Sequence, residues 1–140
     1  MEKNKPIVII AKGVKPLRNG KKSAKEYPYW DELIRLLEKN YTVKEVVHEP
    51  LDILEQTLKN AHAVICCDSF LQHFCWSIGV KAIVLWGTSD PTVFGHKENI
   101  NILKHKSYIR KNLFDTWEGE EHNPNAFVTP QEVLQHIPRK

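Results

Sequence analysis

The 140-residue sequence lacks the cysteine pattern of a metal site or a disulfide-stabilised domain. It has three cysteines, Cys66, Cys67 and Cys75, and no two of them form a Cys-x-x-Cys pair. All three fall within the apolar centre of the chain. Neighbours in a strand face opposite sides, so Cys66 and Cys67 are poorly placed to act together as zinc ligands or in a disulfide framework. The cysteines are therefore predicted to be buried free thiols in a reducing compartment.

Charge of one sign and long apolar runs are also scarce. Lys and Arg number 20 against 17 Asp and Glu, and a net charge of +3 does not argue for nucleic acid as a partner. The basic loop 12–25 lacks interleaved aromatic residues apart from the nearby Tyr27. The first apolar run, 6–11, is too short for a signal peptide or a membrane span. We expect a cytoplasmic protein that binds no nucleic acid and does not span a membrane.

What the sequence does contain is a series of short apolar runs separated by helical patterns. Apolar runs without alternation are typical of strands covered on both faces, as in parallel sheets. The predicted strands are residues 6–11, 41–47, 63–67, 82–86 and 99–103, and the predicted helices are 30–38, 51–60 and 70–78. The chain is thus predicted to be one α/β domain, 1–140, with a Rossmann-like open, mainly parallel sheet of about five strands and helices on both faces.

The stretch 63–87 is a strand, helix, strand unit in which Asp68 and Ser69 lie between the first strand and the helix. Open α/β sheets bind ligands at this edge, and the amino end of a helix suits an anion. From the spacing alone, a plain side-chain N-cap is favoured over a ligand contact. Thr88 and Ser89 follow the next strand and should lie beside Asp68, where Gly87 allows close backbone approach.

The segment DSFLQHFCWSIGVKAIVLWGTSDP resembles the signature of the family 9 glycosyltransferases, the ADP-heptose:lipopolysaccharide heptosyltransferase family. The matching positions are Asp68, Ser69, His73, Gly79, Gly87, Asp90 and Pro91. The departures are Lys81 for the common proline, Thr88-Ser89 for Pro-Thr, and Phe70 for the usual glycine. A side chain at position 70 is expected to crowd the close approach of a donor phosphate or sugar. The segment 127–134 resembles the closing helix of the family, with Thr129 as its cap.

The resemblance implies donor-binding roles for several residues. Lys25, in an element that resembles the Lys-x-Trp-Pro of the family, inherits a contact with the donor phosphates. His73 stands at the position of the family histidine and is expected to touch the donor. His48 and Glu49, after the second strand, are candidate contacts for a ribose or base. The alternatives are that Lys25 is a solvated loop lysine, that His73 is a structural histidine and that Glu49 lies in a surface turn.

Family 9 enzymes have the GT-B architecture of two Rossmann-like domains, and this chain resembles only the donor-binding half. The acceptor site and the general base would then be absent, so no catalytic residue is predicted. Three hypotheses stay open: a glycosyltransferase donor domain that works with an acceptor-domain protein, a non-catalytic module for a nucleotide or nucleotide-sugar, and an interaction protein on a retained fold. The resemblance implies lipopolysaccharide biosynthesis, a nucleotide-sugar substrate and no obligatory metal or other cofactor. An exposed face could drive self-association, and Met1 with the terminal helix argues against a random fragment.

Overall fold

Five short strands form a single parallel sheet in the computed structural model, which describes residues 5–13, 25–47, 49–109 and 122–139. The strands are β1 (Ile7–Ala11), β2 (Thr42–Glu45), β3 (Ala63–Cys67), β4 (Ile83–Trp86) and β5 (Ile100–Leu103). Their order is β2-β1-β3-β4-β5, and all four neighbouring pairs run parallel. The predicted open, parallel α/β sheet is confirmed. His48, residues 14–24 of the basic loop and residues 110–121 lie outside the described residues.

Helices cover both faces of the sheet. They are α1 (Trp30–Leu37), α2 (Leu51–Lys59), α3 (Phe70–Ser77), α4 (Pro91–Phe94) and α5 (Pro130–Gln135), with 3-10 turns at Lys106–Tyr108 and Pro124–Ala126. One core contains buried residues of α1 and α5, and the other contains buried residues of α2 and α3. Cys67 lies in the first core and Cys66 in the second, as expected for neighbours in a strand. No helix within the described ranges is long and apolar enough to cross a membrane.

One short helix lies where the local sequence suits a turn. Asp-Pro is a common turn signal, but Asp90-Pro91 begins the short helix α4. The Asp90 carboxylate accepts a hydrogen bond from the Thr92 backbone N–H at 2.9 Å, and Pro91 takes the first helical position. Asp and Pro suit both a turn and a helix start, so local sequence did not separate the two.

The order of the strands creates a crevice at the carboxyl edge of the sheet. From β1 the chain first adds β2 on one side, and it later adds β3 on the other side of β1. The connections that leave β1 and β3 therefore diverge to opposite sides of the sheet. Such a switch in direction opens a crevice in which α/β proteins bind ligands. Lys25 lies after β1 and Asp68 directly follows β3, so both belong to the walls of this crevice.

The segment 25–30 is fixed by residues close to the carboxyl end of the chain. The Tyr27 hydroxyl donates to the Val128 carbonyl at 3.0 Å, and the His122 ring nitrogen Nε2 lies 2.7 Å from the Glu26 carbonyl oxygen. The Tyr27 ring also makes an edge-to-face contact with Phe127, at 5.8 Å between ring centroids. These contacts fix the backbone of Glu26 and Tyr27, and thereby the position of the adjacent Lys25.

Candidate functional site

The centre of the candidate site is an ion pair between Lys25 and Asp68. The Lys25 Nζ atom lies 3.4 Å from Asp68 Oδ2, and Gln72 Nε2 donates to Asp68 Oδ1 at 2.7 Å. The Asp68 side chain is only 7% exposed, whereas that of Lys25 is 30% exposed. Asp68 is thus fixed from two sides, and Lys25 is the member of the pair that reaches solvent. The pairing of Lys25 with Asp68 was not predicted from the sequence, and the donor-binding roles expected of both residues stay predictions.

Four buried polar atoms, on Asp68, on Gln72 of α3 and on the two residues that follow β4 and Gly87, have no hydrogen-bond partner among the described residues; the one on Asp68 is in the ion pair with Lys25. They are Asp68 Oδ2, Gln72 Oε1, Thr88 Oγ1 and Ser89 Oγ. The residues that carry them are all at least nine-tenths buried. Leaving a buried polar group unpaired costs about 1–3 kcal/mol, so native proteins rarely keep several together without a role. We call Lys25, Asp68, Gln72, Thr88 and Ser89 the junction cluster.

The amino end of α3 is not capped by a side chain. Ser69 is the N-cap residue and has an extended backbone with φ of −153°, but its side chain accepts no capping hydrogen bond. Its hydroxyl donates instead to the Cys67 carbonyl at 3.4 Å. The reading of Asp68 or Ser69 as a plain side-chain N-cap is therefore wrong, because one side chain is held by Gln72 and the other points back to β3. The first turn of α3 keeps amide groups that suit an anion.

His73 lies on the exposed side of α3 and is paired with a residue that the sequence did not single out. Its Nδ1 atom lies 2.8 Å from His96 Nε2. The His96 ring stacks on Trp76, with 4.4 Å between ring centroids, and the Trp76 indole N–H donates to Glu98 at 3.0 Å. The structure thus places His73 in an exposed aromatic group, where His96 is its hydrogen-bond partner. Its predicted contact with a donor stays a prediction.

Glu49 and Gly87 have different surroundings from those expected. The Glu49 carboxylate accepts a hydrogen bond from the Val47 backbone N–H at 3.1 Å, which stabilises the turn after β2. The space beside Gly87 is occupied by the Phe127 ring, three atoms of which lie under 3.0 Å from where a β-carbon would be. The group that packs closely against the Gly87 backbone is therefore the Phe127 ring of the core, not a ligand. A ribose contact by Glu49 stays a prediction.

Gln72 is the residue of the junction cluster that sequence reasoning missed. It follows Asp68 by four positions, and its side chain is completely buried. Asp68 precedes the first residue of α3 by two positions, so the rule that residues four apart within a helix lie on the same side does not apply to this pair, and no local spacing predicts the contact. Its amide N–H donates to Asp68, and its carbonyl oxygen is one of the unpaired atoms.

The three cysteines lie near the junction cluster but are not suited to nucleophilic chemistry. Burial raises the pKa of Cys67 and of Cys75 to about 12, and raises the pKa of Cys66 well above its usual value. The thiolate is the nucleophilic form, and it is nearly absent at neutral pH for such groups. Within the part of the chain that the structure describes, no group of three His, Cys, Asp or Glu residues is placed to hold a metal ion.

A cavity of about 230 Å³ lies away from the junction cluster, beside the turns that precede β4 and β5. Its lining includes Trp76, Lys81 and Asn99. The buried Asn99 side chain accepts from the Ala82 N–H at 3.0 Å and donates to the backbone carbonyl of Gln72 at 3.3 Å, so it has partners within the fold. The Asn99 side chain in this cavity therefore already has hydrogen-bond partners within the fold, unlike the buried polar atoms of the junction cluster.

Comparison with known proteins gives a match in fold. No protein-family model matches the chain, and no curated protein matches it. A solved structure that it resembles is the dodecameric iron-containing heptosyltransferase TibC in complex with ADP-D-β-D-heptose, with a TM-score of 0.59 and 16% sequence identity. The match covers 96% of this chain and 38% of that chain, so this chain spans well under half of the heptosyltransferase. The chain therefore has a glycosyltransferase-like fold.

Proposed function

We propose that this chain binds a nucleotide-sugar at the junction cluster and serves as the donor-binding part of a glycosyltransferase. The observation that carries the proposal is the Lys25–Asp68 pair, set in the crevice between β1 and β3 with unpaired buried polar atoms beside it. This combination fits a ligand with a negative charge and several hydroxyl groups. A nucleoside diphosphate joined to a sugar has both.

The charged part of such a ligand is assigned to Lys25 and to the amino end of α3. A lysine ammonium and free helix amides both stabilise phosphate oxygens. The Thr88 and Ser89 hydroxyls, which lack partners among the described residues, are available as donors to the same oxygens. During transfer, negative charge grows on the departing diphosphate, so groups already in place there would lower the barrier. In this proposal no resident metal is needed for that step.

The sugar and ribose hydroxyls are assigned to acceptors of the site. Gln72 Oε1 has no hydrogen-bond partner among the described residues, and Asp68 Oδ2 is in an ion pair with Lys25 but accepts no hydrogen bond there; a sugar hydroxyl is a donor that suits both oxygens. His73 and Glu49 are proposed to reach outlying parts of the donor. Transfer also requires an acceptor saccharide, which we assign to another protein or domain, or to a further copy of this chain. Lipopolysaccharide assembly in the cytoplasm, where buried thiols stay reduced, is the proposed setting.

The test is isothermal titration of the purified chain with ADP, UDP, GDP and their sugar conjugates. We expect saturable binding of one nucleotide, weakened about tenfold or more in Lys25→Ala, because a charge-assisted contact contributes about 1.5–3 kcal/mol. Asp68→Asn keeps an acceptor for Gln72 but removes the charge that orients Lys25, so it should weaken binding as well.

The matched control is Lys59→Ala. Lys59 also pairs with a carboxylate, Glu55, at 2.7 Å, but it lies on the surface of α2. It should leave affinity unchanged. Absence of binding to every nucleotide at millimolar concentration would contradict the proposal, and equal losses in Lys59→Ala and Lys25→Ala would contradict the assignment of the site.

A further inference from the structure

An exposed aromatic ring stands directly beside the junction cluster. Phe70 is the first residue of α3 and follows Asp68 by two positions. Its side chain is 61% exposed, and its ring stacks on Phe74 with 5.6 Å between centroids and an interplanar angle of 25°. Side chains of a helix lean toward its amino end, which for α3 is the end at the crevice. The ring is therefore exposed at the end of α3 that begins at the crevice, outside the core.

The ring and its polar neighbours have complementary chemistry. Asp68 and Gln72 each carry one buried acceptor oxygen without a hydrogen-bond partner among the described residues, and the Asp68 oxygen is the one in the ion pair with Lys25. Phe70 offers an apolar surface that is open to solvent and is held in place by Phe74. A sugar ring has hydroxyl groups at its edge and aliphatic C–H groups on its face. The edge suits unpaired acceptors, and the face suits an aromatic ring.

We propose that Phe70 is the platform on which the sugar of the nucleotide-sugar packs, and that it makes the site select for the sugar as well as the nucleotide. This inference rests on the proposed function and extends it to one residue and one part of the ligand. The phosphates lie at Lys25 and the amino end of α3, so a group attached to them reaches the neighbouring residue Phe70. The ring then contacts the conjugated sugar and leaves the nucleoside diphosphate itself unaffected.

The platform also predicts which sugars fit. A sugar whose C–H groups cluster on one face can lie flat on the ring, whereas an axial hydroxyl on that face would be desolvated against it without a partner. Burying an unpaired hydroxyl is costly, so selectivity between sugar epimers is expected at this position.

The experiment compares each nucleoside diphosphate with its sugar conjugate: ADP with ADP-glucose, UDP with UDP-glucose and GDP with GDP-mannose. Titrations are run on the wild-type chain and on Phe70→Leu, Phe70→Tyr and Ile53→Ala. Phe70→Leu keeps apolar bulk but removes the flat ring, and Phe70→Tyr keeps the ring. Ile53 is 53% exposed on α2 and serves as the matched control for loss of an exposed apolar side chain.

We expect the wild-type chain to bind one conjugate more tightly than its parent diphosphate. Phe70→Leu should weaken that conjugate about five- to tenfold, in line with the strength of an aromatic contact, and change the diphosphate less than twofold. Phe70→Tyr and Ile53→Ala should match the wild type.

The outcomes separate this inference from the proposed function. If the wild type binds a diphosphate and Phe70→Leu binds the conjugate as tightly as the wild type does, the platform is refuted and the donor site stands. If Phe70→Leu weakens diphosphate and conjugate equally, the ring serves the nucleotide and the sugar assignment is wrong. If the wild type binds neither ligand, both the platform and the proposed function fall.

Discussion

At the residue scale, Gly87 shows how closely the core approaches the candidate site. It follows β4 and precedes Thr88 and Ser89, and the Phe127 ring fills the position of its missing side chain. Phe127 itself is 1% exposed and packs in the core formed with α1 and α5. The backbone that carries the two hydroxyls is therefore positioned by contact with the core.

Gly87→Ala is expected to destabilise the chain by about 1–3 kcal/mol, because an added methyl group would overlap a ring that has little room to move. The measurement is the free energy of unfolding in urea. Gly13→Ala is the matched control, since nothing lies within 4 Å of the position of its β-carbon. Equal stability of the two variants would show that the Phe127 contact does not constrain Gly87.

At the element scale, α5 illustrates a helix whose start follows from local sequence. Thr129 accepts a hydrogen bond from the Glu132 N–H at 3.3 Å, as predicted for the cap, and Pro130 takes the first helical position. The helix buries Pro130 and Val133 next to α1. A cap at this position therefore supports packing as well as the helix itself.

Thr129→Ala should lower the free energy of unfolding by about 1 kcal/mol, because it removes the side-chain acceptor at the N-cap. Thr57→Ala, within α2, is the control, and alanine there is expected to be neutral or slightly stabilising. Thermal or urea unfolding measures both. A loss in Thr57→Ala as large as that in Thr129→Ala would contradict a capping role.

The elements were more predictable from the sequence than the side-chain contacts. The strands at β3 and β4 were recognisable because residues buried on both faces are apolar without interruption. β2 was predicted too long, as 41–47, because Val46 and Val47 are apolar. Val46 packs in the core with α2, whereas Val47 is 69% exposed, and neither belongs to the strand.

Within the candidate site, the sequence predicted only which residues follow neighbouring strands, because the sheet topology alone decides that. It did not predict which side chains contact each other. Asp68, Thr88 and Ser89 follow adjacent parallel strands, so their common edge could be inferred. The pairing of His73 with His96 could not, because it depends on how α4 returns the chain to α3. The orientation of Gln72 toward Asp68 likewise depends on tertiary packing.

At the scale of the whole molecule, three cysteines are buried in the two cores. Cys66 and Cys67 belong to β3, and Cys75 belongs to α3. A cysteine thiol in the unfolded chain has a pKa of about 8.5, whereas burial in the folded chain raises the pKa of Cys67 and Cys75 to about 12. Between these values the unfolded state binds fewer protons than the folded state. Stability must therefore fall as the pH rises through this range.

The free energy of unfolding is expected to fall between pH 8 and about pH 9.5, by at most about 1.4 kcal/mol per pH unit for each such thiol. Urea unfolding at several pH values measures the slope. Cys75→Ala removes one of the groups and should give a shallower slope. An identical slope in that variant would show that Cys75 does not contribute.

The contact between Tyr27 and Val128 has a consequence for the order of events during synthesis. The two residues are 101 positions apart, and with His122 and Phe127 this contact holds the segment that carries Lys25. A nascent chain that has emerged only as far as Ile109 already contains every residue of the junction cluster, yet it lacks the support for Lys25. The arrangement around Lys25 can therefore form only after residues 122–128 have left the ribosome.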